Sequence, residues 1–330
     1  MKKPVAVLLI LLLLALGGCA ASTGKGKPGP AAPKAPAVSG VTLLNPVGPL
    51  VIPLAGLAAN KVNTGNLKIK VQYWKNNDEV IGLLSSKKAE FAVLPVTMAA
   101  NMDASGVKLR MLGVHEWKVF YMVAPDADSF KNWESLRNQE VYIPVGKGST
   151  VDLLLRSAIE SNGMKPDQDV KIIYAPPQEI VTLFQSNKIK FAALPEPYVT
   201  LAIKGGQGQI VLDFQKYWAE VAKGPERLPV AGLFVRRDFY EKYPGESLKV
   251  AEALGASTDW YKQNVDAALQ LSSQTLPIPA PVMKNALSRI QFDYISSNAC
   301  QNEVKTYLQK MRELYPEGLK TLPDAGFYGQ

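Results

Sequence analysis

The chain contains a partial copy of itself displaced by one hundred residues. Residues 79–95 read EVIGLLSSKKAEFAVLP, and residues 179–195 read EIVTLFQSNKIKFAALP. Glu79/Glu179, Leu83/Leu183, Ser86/Ser186, Lys88/Lys188, Phe91/Phe191, Ala92/Ala192, Leu94/Leu194 and Pro95/Pro195 are identical pairs. An echo lies upstream at nearly the same offset. The apolar runs beginning at Val41 and Val141 each lead into Pro-Val-Gly, at Pro46-Val47-Gly48 and Pro144-Val145-Gly146. Two matches in the same order point to a duplicated supersecondary unit, and internal repeats constrain a fold more than any single motif.

Each copy reads as strand, Gly-containing turn, helix, strand, helix, strand. The helices are expected at 50–61 and 150–162, and the second strands at 68–74 and 170–174. A further helix carries Val80, Leu83 and Leu84, or Ile180, Leu183 and Phe184, at helical spacing. The short apolar runs Phe91–Leu94 and Phe191–Leu194 end at proline, which cannot donate to a ladder. Such units make mostly parallel α/β sheets, with ligands in the crevice beyond the strand carboxyl ends. Both Pro-Val-Gly turns and both Leu-Pro turns fall on that edge, so two lobes facing along it would enclose a cleft. The apolar stretches 111–124 and 230–236 are the expected crossings between lobes. Helical periodicity near 248–264, 281–291 and 302–314 completes the chain.

The N-terminus sets a compartment. Lys2 and Lys3 precede an apolar run from Val5 to Leu16, then Leu16-Gly17-Gly18-Cys19. This is the pattern of a secretory signal peptide, and the run is shorter than the roughly 20 residues a bilayer crossing needs. The small residues before Cys19 resemble a lipobox, in which that cysteine is lipidated. Residues 20–39 hold almost no large apolar side chain and read as a flexible tether. The expected organisation is a signal peptide at 1–18, lipidated Cys19 and tether at 19–40, lobe one at 41–122 plus 230–330, and lobe two at 123–229. No other segment is apolar enough to span a membrane, which leaves lipid as the expected anchor.

The remaining body of some 290 residues is more than one core usually serves. Of the formal charge of +8, five lysines precede the body, leaving +3, too little to suggest nucleic acid as a partner. With Cys19 acylated, Cys300 is the other cysteine and reads as a small core residue, so no internal disulfide is expected. The single histidine, His115, reads as a satisfied structural residue near the crossing. No HExxH, GxSxG or spaced Cys/His set is present, so neither a catalytic centre nor a metal or cofactor is expected.

Lipobox, tether, strand-PVG-helix, the segment SLRNQEVYIPVGKGSTVDLLLRSAIESNGMKPDQDV and the later AALPEPYVTLAI together resemble the substrate-binding proteins of ABC importers. The similarity is to the type 2 periplasmic-binding-protein branch that serves nitrate, aliphatic sulfonates, taurine and thiamine-pyrimidine precursors, and it runs from about Val41 to Leu314. It implies a two-lobed α/β fold closing on a small molecule and handing it to membrane permease subunits. The protein would be a monomer outside the cytoplasm, lipid-anchored to the outer face of the plasma membrane or in the periplasm. Carried over by position, the ligand would meet Asn45, Val47, Gly48 and Pro49, then Pro95, Val96 and Thr97 in lobe one. In lobe two it would meet Gly148, Ser149 and Thr150, then Glu196 and Pro197.

Backbone amides at the start of a helix after Gly148, with the Ser149 and Thr150 hydroxyls, favour a sulfonate, carboxylate or other anion. Against that, Ser149 reads equally as a helix cap and Lys147 as a solvated side chain. Glu196 either faces the ligand or caps the following helix. The first turn of lobe one is apolar, which disfavours a simple inorganic anion and favours a molecule with one polar end and an apolar remainder. Trp74, Trp117, Tyr121 and Tyr142 are the aromatic side chains available to stack on it, or to sit in the core. Two other readings stay open: a sensing or partner-docking lipoprotein, and an enzyme related to those of thiamine-pyrimidine or menaquinone precursor synthesis. The first of those enzymes uses a cysteine-rich iron motif that this chain lacks, and the second lacks a lipoprotein signal.

Overall fold

A computed structural model describes residues 38–144, 146–276 and 278–329. The expected signal peptide, Cys19 and most of the expected tether lie outside the described residues. The strands in chain order are β1 Gly40–Pro46, β2 Lys68–Trp74, β3 Phe91–Pro95, β4 Leu109–Lys118, β5 Phe120–Ala124, β6 Gln139–Ile143, β7 Val170–Tyr174, β8 Phe191–Pro195, β9 Gln209–Asp213, β10 Ala231–Arg236 and β11 Gln291–Ser296. They form two mixed sheets, ordered β11-β4-β10-β3-β1-β2 and β7-β6-β8-β5-β9.

The duplication is built into the pairing. β1 runs parallel to β2 and β3, with Leu43 opposite Phe91; β6 runs parallel to β7 and β8, with Val141 opposite Phe191. In each sheet the next strand is antiparallel and comes from the far side of a crossing. Pro95 of β3 faces Ala231 of β10, and Pro195 of β8 faces Phe120 of β5. The helices Asn77–Ser85 and Pro177–Gln185 end alike. Lys87 and Asn187 adopt left-handed backbone, and the amides of Lys88 and Lys188 bond to the carbonyls of Leu83 and Leu183, both at 2.9 Å. A left-handed residue past the last turn satisfies carbonyls that the helix leaves unpaired. Leu43, Leu44, Phe91, Ala92, Phe191 and Ala192 are all fully buried, as expected of central strands covered on both faces.

Three expectations change. The helix expected over 50–61 is a 3-10 turn, Pro49–Val51, and a single α turn, Ala55–Ala58. Pro49 and Pro53 bring no amide to the ladder. The hydroxyl of Ser257, on helix Pro244–Gln263, enters the gap: it accepts from the Leu57 amide at 2.9 Å and donates to the Pro53 carbonyl at 2.7 Å. The extended stretch 111–124 is not one strand. It divides at Val119 into β4 of the first sheet and β5 of the second, which is how the chain changes sheets. His115 is fully buried on β4, but neither ring nitrogen has a partner among the described residues, so it is not satisfied. Burial alone pushes its pKa down to about 3 and keeps it neutral. Cys300 is also fully buried, as its sequence context suggests, and burial raises its thiol to about 12.

The two connections between sheets lie side by side. The Val230 amide donates to the Glu116 carbonyl and the Leu228 amide to the Trp117 carbonyl, both at 2.9 Å. Gln215, fully buried in helix Phe214–Ala222, clamps the first crossing. Its Oε1 accepts from the amides of Val119 and Phe120 at 3.1 and 3.0 Å, and its Nε2 donates to the Phe120 carbonyl at 2.9 Å. Gln215→Ala would strand these buried backbone groups. It is expected to lower unfolding stability by about 1–3 kcal/mol in urea titration, whereas a change within experimental error would contradict the clamp.

Candidate functional site

Where the two sheets face each other lies a cavity of about 680 Å³, lined from both sides and from the crossings beneath. Lobe one supplies the turn Pro46–Leu50 with Trp74, Ile81, Pro95, Thr97, Met98 and Met102. Lobe two supplies Gly146–Val151, Pro195, Glu196 and Tyr198, while Glu116, Val119, Phe120, Val230 and Ala231 form the base. Size and predominantly apolar walls suit a small organic molecule.

The cavity gathers most residues singled out from sequence: Val47, Gly48, Pro49, Pro95, Thr97, Gly148, Ser149, Thr150 and Glu196 all line it. Asn45, Val96 and Pro197 are not among its lining residues. Asn45 is fully buried at the end of β1, with its amide turned back to the Pro46 carbonyl at 3.0 Å. Val96 is fully buried, its own amide bonded to the Val230 carbonyl at 3.0 Å. Pro197 is buried behind Glu196, across a cis peptide bond. Of the aromatics, Trp74 lines the wall and its indole N–H has no partner among the described residues. Trp117 is in the core, donating to the Asp293 carbonyl; the Tyr121 hydroxyl donates to the Arg289 carbonyl, and the Tyr142 hydroxyl is turned to Glu140.

The electrostatics differ from the simple anion site. Helix Thr150–Ser161 starts after Gly148, whose φ of 87° suits glycine. Its first turn already holds a carboxylate. Asp152, fully buried, accepts from the Gly148 amide at 2.7 Å, from Arg156 Nε at 2.8 Å and from the Tyr174 hydroxyl at 2.8 Å. The helix end that would attract an anion is therefore partly compensated from within. Ser149 occupies the cap position without capping: its hydroxyl is buried and bonds to nothing among the described residues. Lys147 is half-exposed at the rim, 3.9 Å from Glu317 and over the Tyr315 ring.

Glu196 resolves toward the capping role. Its Oε2 accepts from the Thr200 amide at 3.0 Å and hydroxyl at 2.8 Å, and Oε1 pairs with Arg289. Its carboxylate is thus already paired, which favours the capping alternative over a charge offered to the cleft.

Sequence reasoning missed Glu116. It sits on β4 opposite Ala231 of β10 and Phe292 of β11, almost fully buried and part of the cavity base. No hydrogen bond or ion pair reaches its carboxyl among the described residues, and burial pushes its pKa up to about 8. The available signal was an acidic residue inside the apolar strand pattern MLGVHEWKVFYMVA, where a charge has no solvent face to occupy. A carboxyl whose folded pKa is raised adds no pH-dependent cost below the unfolded value near 4.5, destabilises progressively as pH rises from there to about 8, and adds no further loss above it. Glu116→Gln is expected to recover that loss, on the order of a few kcal/mol. Its melting temperature should exceed the parent's by a margin that grows between pH 4.5 and 8; a margin independent of pH would contradict the burial.

Two α/β lobes enclosing an apolar crevice at their strand ends define the class: the two-lobed substrate-binding fold. Residues 90–275 match the NMT1-like family, and the chain belongs to it. The chain is 21% identical over 297 residues to a putative aliphatic sulfonates-binding protein of Bacillus subtilis, covering 88% of this chain and 83% of that one. A shorter match, 28% over 110 residues, joins 33% of this chain to only 15% of the nitrate import ATP-binding protein NrtC of Synechocystis. Among solved structures, an ABC transporter protein from Parabacteroides distasonis superposes with a TM-score of 0.74 at 23% identity, covering 88% of this chain and 99% of that one. The periplasmic aliphatic sulphonate binding protein SsuA of Escherichia coli gives 0.68 at 17% identity, covering 86% and 89%. No helix among the described residues is long and apolar enough to cross a membrane.

Proposed function

We propose that the protein is the extracytoplasmic solute-binding component of an ABC importer, closing two lobes, 41–122 with 230–330 and 123–229, on a small organic ligand. The observation that carries this reading is the cavity of about 680 Å³ whose walls come from both sheets and whose base is the pair of crossings. A ligand touching both walls favours the closed arrangement, and closure is the usable signal for a permease. Family membership and the transport-related names of the relatives support the role. Neither His115, sealed in β4, nor Cys300, in helix Ser297–Leu314, is among the cavity's lining residues, and the relatives' printed names that mention binding support a binding role.

The polar end of the ligand lies against Gly148, Ser149 and Thr150, where hydrogen bonding rather than net positive charge is on offer. The remainder lies along Trp74, Ile81 and Met98. Cys19 anchors the chain by lipid and residues 20–39 let the monomer reach its permease. Mass spectrometry of small molecules released from the purified protein is expected to find one stoichiometric solute. Calorimetry should show the Ser149→Ala, Thr150→Ala double variant binding that solute about 1–3 kcal/mol more weakly. Unchanged affinity would remove the polar pole from these residues; a protein that carries and binds no solute would overturn the function.

A further inference from the structure

The ionisable groups of the cavity are unequally matched, and the mismatch bears on the ligand's chemistry. Glu196 is neutralised by Arg289 and Thr200. Lys147, the sole basic side chain among the described lining residues, stands half-exposed at the rim beside Glu317 and Tyr315. Glu116 alone among the lining groups has a carboxyl with no partner. Its backbone is fixed, because its carbonyl accepts from the Val230 amide at 2.9 Å and its strand is paired on both sides. Around it at the base are Val119, Phe120, Val230 and Ala231, none of which can compensate a charge.

Resting on the solute-binding reading, we infer that Glu116 selects a ligand carrying a basic nitrogen, an amine or amidine, joined to an apolar body. A buried acid without a partner is costly when ionised, and a cation or strong N–H donor brought within hydrogen-bond reach removes that cost. An anionic group at the same place could be met only by the protonated carboxyl, through a single hydrogen bond with no compensating charge, and would face a like charge once that carboxyl ionised. The apolar body has room along the lobe-one wall, where Leu50, Trp74, Met98 and Met102 line the cavity. Ser149 and Thr150 remain for a polar group at the other end, so an uncharged hydroxyl or amide there suits the same ligand. The relatives' sulfonate and nitrate names do not describe this base: no basic side chain among the described lining residues stands there, Lys147 being at the rim.

Two probes of one shape and opposite charge separate the cases: 2-phenylethylammonium and 2-phenylethanesulfonate, titrated calorimetrically into the full chain after removal of any co-purified solute. The ammonium should bind the parent at least about tenfold more tightly than the sulfonate, and Glu116→Gln should lose about tenfold or more of that affinity. Near neutral pH the ammonium should also expel the Glu116 proton. The binding enthalpy of the parent, measured in buffers of different ionisation enthalpy, would then reveal proton release that Glu116→Gln lacks. Proton release is read on the parent itself, so the test does not depend on the variant folding, which a melting curve checks. Preference for the sulfonate, equal binding of the ammonium by parent and Glu116→Gln, or no binding of either probe would each overturn the assignment. The solute-binding reading is judged separately, by whether a solute co-purifies.

Discussion

The two walls of the cleft are joined by the hydrogen bonds between two short crossing segments. Around 116–119 the chain leaves the first sheet, and around 228–231 it returns; the amides of Val230 and Leu228 bond to the carbonyls of Glu116 and Trp117. Each crossing is then stitched to a repeat at equivalent positions. Val96 bonds to the Val230 carbonyl and Glu196 to the Val119 carbonyl, at 3.0 and 2.9 Å. The Leu-Pro turns of both lobes therefore hang from one narrow backbone junction. Such a junction holds the cleft walls in register and still lets two packed bodies rotate about a few residues. It explains why Gln215 is buried there with its amide saturated by backbone groups and the Asp213 carboxylate. Polar backbone passing between two cores has to find partners inside the protein.

The cavity keeps its charges largely to itself. Asp152 at the helix start is matched by Arg156 and Tyr174, and Glu196 by Arg289 and Thr200. Such internal pairing holds the loops that shape the walls while leaving little net field for an anion. Glu116 is the exception, and it stands where the walls meet. Related chains with one fold and different ligands are expected to differ at such positions, because a shared architecture fixes the place of a site and not its chemistry.

Much of the architecture could be read from the sequence because the duplication is literal. Pairs such as Phe91/Phe191 and Pro95/Pro195 are strand-pairing positions, and Lys88/Lys188 mark the same helix-end hydrogen bond. What could not be read depends on contacts distant in the chain. The break in the expected helix at 50–61 is completed by Ser257, about two hundred residues away. The capping contact of Glu196 with Thr200 is local, but the ion pair that occupies its other oxygen comes from Arg289, 93 residues on. The Gly-Lys-Gly-Ser-Thr turn lines the cleft, but its expected anion affinity is reduced by Asp152, three residues past Ser149, which local sequence did display. Glu116 poses the opposite problem: residues 111–124 read as one crossing strand, and only the division at Val119 fixes which faces are buried.

The central claim is that this junction joins two bodies that close on a solute. Small-angle X-ray scattering tests it directly, on the protein stripped of solute and again after reloading with the molecule that co-purifies with it. The account predicts a smaller radius of gyration on reloading, reversed when the solute is removed again. Scattering curves that superpose in both states, with binding confirmed in the same samples, would contradict it.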